Sequence, residues 1–141
     1  MRSIGGGFGR ILYVSSIAAI TGGVIGPHYA ASKAALHGLM HHMATRLAPS
    51  RLTVNVIAPA LIATPMSRRA QDDPAILAYL AEKQPLAGGP IDADAVTATA
   101  LHLLSPDAAM VTGQVVAVDG GWGVSEAGSG HGPVEGGRPA F

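Results

Sequence analysis

Short runs of β-branched and aliphatic residues alternate along this chain with longer stretches whose apolar positions recur every three or four residues. Ile11-Leu-Tyr-Val14 is the first β-favouring run and predicts a buried strand ending at Ser15-Ser16. Residues 17–26, small, apolar and glycine-rich, predict a mobile loop that closes on Gly26-Pro27, where proline suits the first turn of a helix. From about His28 to Ala48 the pattern is helical, with Leu36, Leu39, Met40, Met43 and Leu47 as one apolar stripe and Pro49-Ser50 as its stop. Leu52–Ala58 predicts a second strand, ended by Pro59. Residues 60–90 predict a long, proline-punctuated connection with a helical piece at about 74–83. Asp92 is placed to cap a further helix, with Ala93, Val96, Ala100, Leu101 and Leu104 on its inner face and Ser105-Pro106 at its end. Val115–Val118 predicts a third strand running into Asp119-Gly120-Gly121. After Trp122 the apolar period disappears, and residues 123–141 are expected to form a disordered tail.

Strands separated by helices imply an α/β fold whose parallel strands are joined by crossovers. Three such strands make half of a doubly wound sheet, so residues 1–122 are expected to be a partial domain of that kind. Functional groups in such sheets gather beyond the C-terminal ends of the strands. Ser16, Pro59 and Asp119 fall there.

Composition narrows the classes. The chain has 141 residues, 48% of them hydrophobic and 13% charged, which suits one packed domain. Its formal net charge is zero and it has no Lys/Arg run, so nothing calls for a nucleic acid or an anionic membrane as partner. It has no cysteine, which excludes disulfides and thiolate metal sites. No stretch approaches the ~20 apolar residues of a membrane span, and the N-terminus lacks the apolar core of a signal peptide. A soluble, cytoplasmic protein is the expectation.

Tyr29 and Lys33 are four residues apart at the start of a helix and share a face. A phenol is a poor proton donor and acceptor near neutral pH, and an adjacent ammonium favours the phenolate. At about 4 Å and an effective dielectric of ~20 that attraction is roughly 4 kcal/mol. Ser16, thirteen residues earlier, is able to hydrogen-bond the same substrate oxygen. By spacing alone, Tyr29 and Lys33 also fit a plain surface pair. His37 and His41 share a helix face, but no carboxylate or cysteine nearby completes a metal site, and none is expected. Asp119-Gly-Gly121 reads as a strand-ending turn, and Trp122 as packing.

Four segments occur in order: Gly9-Arg-Ile-Leu-Tyr-Val-Ser-Ser16, Tyr29-Ala-Ala-Ser-Lys-Ala-Ala35, Val54-Asn-Val-Ile-Ala-Pro59, and Thr112-Gly-Gln114 with Val118-Asp-Gly-Gly121. As a set, over roughly residues 9–122, they closely resemble the short-chain dehydrogenase/reductase family. The resemblance implies the C-terminal half of a Rossmann-like doubly wound parallel sheet and an oxidoreductase using NAD or NADP. It implies a small-molecule alcohol or ketone as substrate, with a 3-oxoacyl-carrier-protein-reductase-like activity as one candidate. Carried over by motif, Tyr29 is the general acid/base, Lys33 supports it and holds the nicotinamide ribose, and Ser16 positions the substrate oxygen. Pro59, Ala60, Ile62 and Thr64 resemble the segment that contacts the nicotinamide. Ala60 stands where the family usually has glycine, and Thr64 also fits the N-cap of a short helix. The family's glycine-rich nucleotide turn and its Asn-Asn-Ala-Gly segment have no counterpart here, so the chain is expected to be the catalytic half alone. Family members commonly associate, which implies a homo-oligomer or association with a full-length relative. A catalytically inactive interaction module is the alternative reading.

Overall fold

The computed structural model describes residues 9–23 and 25–125. Three strands, β1 (Gly9–Val14), β2 (Leu52–Pro59) and β3 (Val115–Val118), form one parallel sheet in the order β1-β2-β3. Ile11 lies opposite Val54, Tyr13 opposite Val56, and Val56 opposite Val115. The helices are α1 (Ala18–Thr21), α2 (Pro27–Leu47), α3 (Arg68–Gln71), α4 (Pro74–Lys83) and α5 (Ala93–Leu104).

β2 is the middle strand and is covered on both faces, so all six residues from Thr53 to Ala58 are buried. Its two faces are served by different helices. Ile11, Tyr13, Val54, Val56 and Val115 pack with Met40, Ala44, Met43 and Leu47 of α2. The side chains between them point the other way, because strand residues alternate. Arg10 is one of these, and its guanidinium donates to the Ser105 carbonyl at the end of α5, at 3.3 Å. α5 therefore lies across the opposite face.

The polar residue inside β2 organises the entry to β3. Asn55 is buried, and its amide donates to Val111 O at 2.8 Å and accepts from Gln114 N at 3.1 Å. Thr112 and Gly113 reinforce the junction. Thr112 Oγ1 accepts from Val54 N, and Gly113 N donates to Val54 O. Gly113 has φ +71°, a conformation that favours glycine, so the Thr-Gly-Gln motif is a device for starting a parallel strand.

At the other end of β1, Ser15 anchors α2. Its buried hydroxyl lies 3.0 Å from the Lys33 carbonyl and 3.0 Å from His37 Nε2. The hydroxyl's one proton goes to the carbonyl, so Nε2–H must donate to Oγ, which defines the histidine tautomer. Burial, and secondarily the charge of His41, holds His37 below the ordinary histidine value of 6.5.

Several expected elements need correction. The stretch expected to be a mobile loop contains α1, which Ser16 starts and a left-handed Gly22 ends. The 60–90 connection holds a 3-10 turn, Pro65–Ser67, and α3 in addition to the expected α4. Leu39 does not belong to the inner face of α2. It is 46% exposed, whereas Met40 and Ala44 face the sheet. On α5, Leu101 and Leu104 are exposed and Ala93 lies outside, while Leu103 is the buried residue. A cluster of leucines leaves the phase of a helix ambiguous by about one residue, or 100° of rotation. Contact with the sheet decides it. Trp122–Val124 form a 3-10 turn, and the rest of the expected tail, residues 126–141, lies outside the described residues.

Met40→Ala should cost about 2–5 kcal/mol in urea denaturation of the full chain, and Leu39→Ala less than about 1 kcal/mol. Equal costs would contradict the assigned helix phase. The unfolded chain takes up a proton at His37 at higher pH than the folded chain does. That contribution to stability is therefore complete above pH 6.5 and declines as the pH falls below it. A His37→Gln variant should show a shallower stability loss than the parent between about pH 7 and pH 5.

Candidate active site

Because all the strands are parallel, the segments that follow β1, β2 and β3 emerge on one edge of the sheet. Ser16 follows β1 and is half-buried. Its Oγ accepts from Ala18 N at 3.2 Å, starting α1. That bond uses a lone pair only, and the hydroxyl proton has no acceptor among the described residues.

Gly26 and Pro27 turn the chain into α2. Gly26 takes φ +140°, and Pro27 occupies the first helical position, where its missing N–H costs nothing. Tyr29 and Lys33 then lie one turn apart. Lys33 Nζ donates to the Val14 carbonyl at 3.1 Å, so the ammonium is tethered at the end of β1. It lies 5.9 Å from the centroid of the Tyr29 ring, within cation–π range. An ammonium has three donors, and the tether to Val14 takes one of them. The site thus offers a phenol, a cation with spare donors and a serine hydroxyl, all beside the C-terminal end of β1.

The segment after β2 crosses the same edge. Pro59 O accepts from Ile17 N at 2.9 Å, and Ala60 N donates to Val118 O at 3.1 Å. Ala60 is not in the left-handed region, so alanine in place of glycine introduces no backbone strain here. Ile62 bridges to Ile91, and its carbonyl accepts from Ser67 Oγ. Thr64 precedes the Pro65–Ser67 turn. Its N–H donates to Ser67 Oγ at 3.0 Å, and its own hydroxyl lies 3.4 Å from the same oxygen.

Three residues support these segments, and two of them, Gln84 and Ser67, had escaped the sequence reading. Gln84 is fully buried, accepts from Leu61 N at 2.8 Å and donates to the carbonyls of Leu61 and Gly89. It thereby holds the segment that carries Ile62 and Thr64. Ser67 fixes Thr64 from the other side, and Ser15 fixes α2. The one available signal for Gln84 was a polar side chain immediately after an amphipathic helix and before a proline, which is common in loops. Asp119 behaves as the turn residue it was expected to be. Its two oxygens accept from Gly121 N at 3.0 Å and Gly123 N at 2.8 Å. Trp122 packs edge-on against Tyr79, with ring centroids 5.7 Å apart. Among the described residues no helix is long and apolar enough to cross a membrane.

Comparison with known proteins agrees with this geometry. The family model described as enoyl-(acyl carrier protein) reductase matches residues 1–123. The chain is 37% identical over 116 residues to a 2-dehydro-3-deoxy-D-gluconate 5-dehydrogenase of Bacillus subtilis, covering 82% of this chain and 45% of that one. A short-chain type dehydrogenase/reductase from Mycobacterium ulcerans superposes with a TM-score of 0.80 at 34% identity, over 84% of this chain and 43% of the other. A 3-oxoacyl-[acyl-carrier protein] reductase from Brucella melitensis superposes with a TM-score of 0.73 at 38% identity, over 80% of this chain and 41% of that one. The chain thus spans less than half the length of the relatives it matches. With the parallel sheet, the ordered motifs and a family match over most of its length, the chain belongs to the short-chain dehydrogenase/reductase family, of which it represents a part.

Proposed function

We propose that this chain carries the proton-transfer part of an NAD(P)-dependent oxidoreductase that interconverts a secondary alcohol and a ketone. The observation that carries the reading is the tether of Lys33 to Val14, which holds an ammonium beside Tyr29 at the strand end where Ser16 keeps a free hydroxyl proton. In the reductive direction Tyr29 gives its phenolic proton to the carbonyl oxygen, and the Lys33 charge stabilises the phenolate that results. Ser16 donates to the same oxygen, where negative charge develops. In the oxidative direction Tyr29 receives the hydroxyl proton.

The residues present suit a nicotinamide nucleoside. Lys33 has donors to spare for ribose hydroxyls, and the backbone from Pro59 to Ile62 with the Thr64 hydroxyl is held rigid by Gln84 and Ser67 on the same sheet edge. When bound, that group supplies or accepts the hydride. The relatives carry names as different as a keto-deoxy-gluconate dehydrogenase and a 3-oxoacyl-carrier-protein reductase, so family membership alone leaves the ketone open.

A second reading is an interaction module that docks onto a longer relative. It is favoured by the free edge of β1, which pairs only with β2 among the described residues and ends in an exposed Val14.

Titration of the full chain with NADH and NADPH, followed by calorimetry, separates the two. Saturable binding in the millimolar range or tighter supports catalysis, and none supports the module. Where turnover is measurable, Tyr29→Phe should lower it by about 10²–10⁴-fold while cofactor binding is kept. An undiminished rate would remove Tyr29 from its role.

A further inference from the structure

A second concavity, of about 330 Å³, adjoins this site. Three segments line it: Thr21 at the end of α1, Tyr79 and Lys83 on α4, and Trp122 and Ser125 after β3. Thr21 lies five residues beyond Ser16, on the helix that Ser16 starts. On the far side, a Cβ built on Gly123 would lie 3.7 Å from Ile17 Cδ1, so the turn after β3 closes against the residue next to Ser16.

The lining divides into an apolar wall and one unspent charge. Tyr79 and Lys83 share a helix face, and the Tyr79 and Trp122 rings meet nearly perpendicularly, at 81°. The aliphatic hydroxyl protons of the lining are already committed, while the Tyr79 phenol makes no hydrogen bond among the described residues. Thr21 Oγ1 donates to Ile17 O at 3.2 Å, and Ser125 Oγ donates to Trp122 O at 3.0 Å. Asp119 sits behind Gly123 with both carboxylate oxygens engaged by backbone N–H groups. Glu82 is exposed and, as the neighbour of Lys83 on the helix, faces elsewhere. Lys83 is half-buried and makes no hydrogen bond or ion pair among the described residues. A cation in an aromatic-walled cleft that meets no acid among the described residues is a receptor for an anion.

We propose that this cleft is a specificity subsite for the carboxylate of an oxo or hydroxy acid. Lys83 pairs with the carboxylate, while Tyr79 and Trp122 cover the carbon chain that leads to the reacting carbon. The inference rests on the oxidoreductase reading and names its substrate class. It favours a free acid over the uncharged thioester of a 3-oxoacyl chain.

Trp122 is the only tryptophan of the chain, so its fluorescence reports occupancy of the cleft directly. The full chain is titrated with 4-oxopentanoate and 6-oxoheptanoate and with their methyl esters. At least one acid should give a saturable change and bind about tenfold more tightly than its ester, the worth of one charge-assisted contact. Lys83→Met, with unchanged circular dichroism, should abolish that preference, and Lys83→Arg should retain it. Equal binding of acids and esters, a preference that survives in Lys83→Met, or no saturable change with any probe would overturn the proposal. The readout needs neither nicotinamide nor turnover. Acid-selective binding by a chain that fails to bind NADH or NADPH would defeat the oxidoreductase reading and leave the subsite standing. Cofactor binding and Tyr29-dependent turnover without acid selectivity would defeat the subsite alone.

Discussion

The start of α2 is held against the last residues of β1 by two side chains that cross the gap in opposite directions. Lys33 reaches from the helix to the Val14 carbonyl, and Ser15 reaches from the strand end to the Lys33 carbonyl while His37 donates to the Ser15 hydroxyl oxygen. Each bond is worth only about 0.5–1.5 kcal/mol net, yet together they fix the rotation of the helix about its axis. That rotation places Tyr29 and Lys33 at the strand end next to Ser16. A helix turned by one residue would bring Leu39 to the sheet in place of Met40 and carry the phenol away. The chemistry of the site and the packing of the core are therefore one constraint seen at two places along α2.

Two buried polar side chains join segments. Asn55 ties the middle strand to the loop that begins β3, and Gln84 ties the segment after β2 to the loop before α5. In the interior, a hydrogen bond left unmade costs more than a made one contributes, so each of these side chains selects one loop arrangement against its alternatives. The loops they hold carry Ile62 and Thr64 on one side and lead to Trp122 on the other. Strand ends thus present these segments at a shared edge, as parallel sheets do generally.

In the proposed reading the site and the adjoining cleft divide a reaction between them, and the roles proposed for Ser16, Tyr29 and Lys33 suit any carbonyl without selecting a substrate. The cleft beside α1 draws its charge and its aromatic wall from α4 and from the turn after β3. Relatives that share the sheet but carry differently named substrates fit such a division, with the common chemistry in the core motifs and the selection in the connections.

The sequence by itself determined the order and type of the main elements, because β-branched runs, helical periods and prolines are local signals. The strand cores, α4, the Asp92 cap and the helix opening at Pro27 were all legible to within a residue or two. The spacing of Ser16, Tyr29 and Lys33 was likewise legible as a motif, and the roles it suggests belong to the proposed function. The tertiary structure alone decided which face of α2 and α5 is inner, because neighbouring leucines at 36, 39, 101, 103 and 104 are equally apolar and only contact with the sheet ranks them. It alone revealed α1, a four-residue helix too short to leave a periodic trace, whose start and end depend on Ser16 and Gly22. It alone joined Lys83, Tyr79 and Trp122, which are separated by up to 43 positions in the chain. Pairings of that range leave no periodic trace in a sequence, since they arise only when the sheet brings its strand ends together.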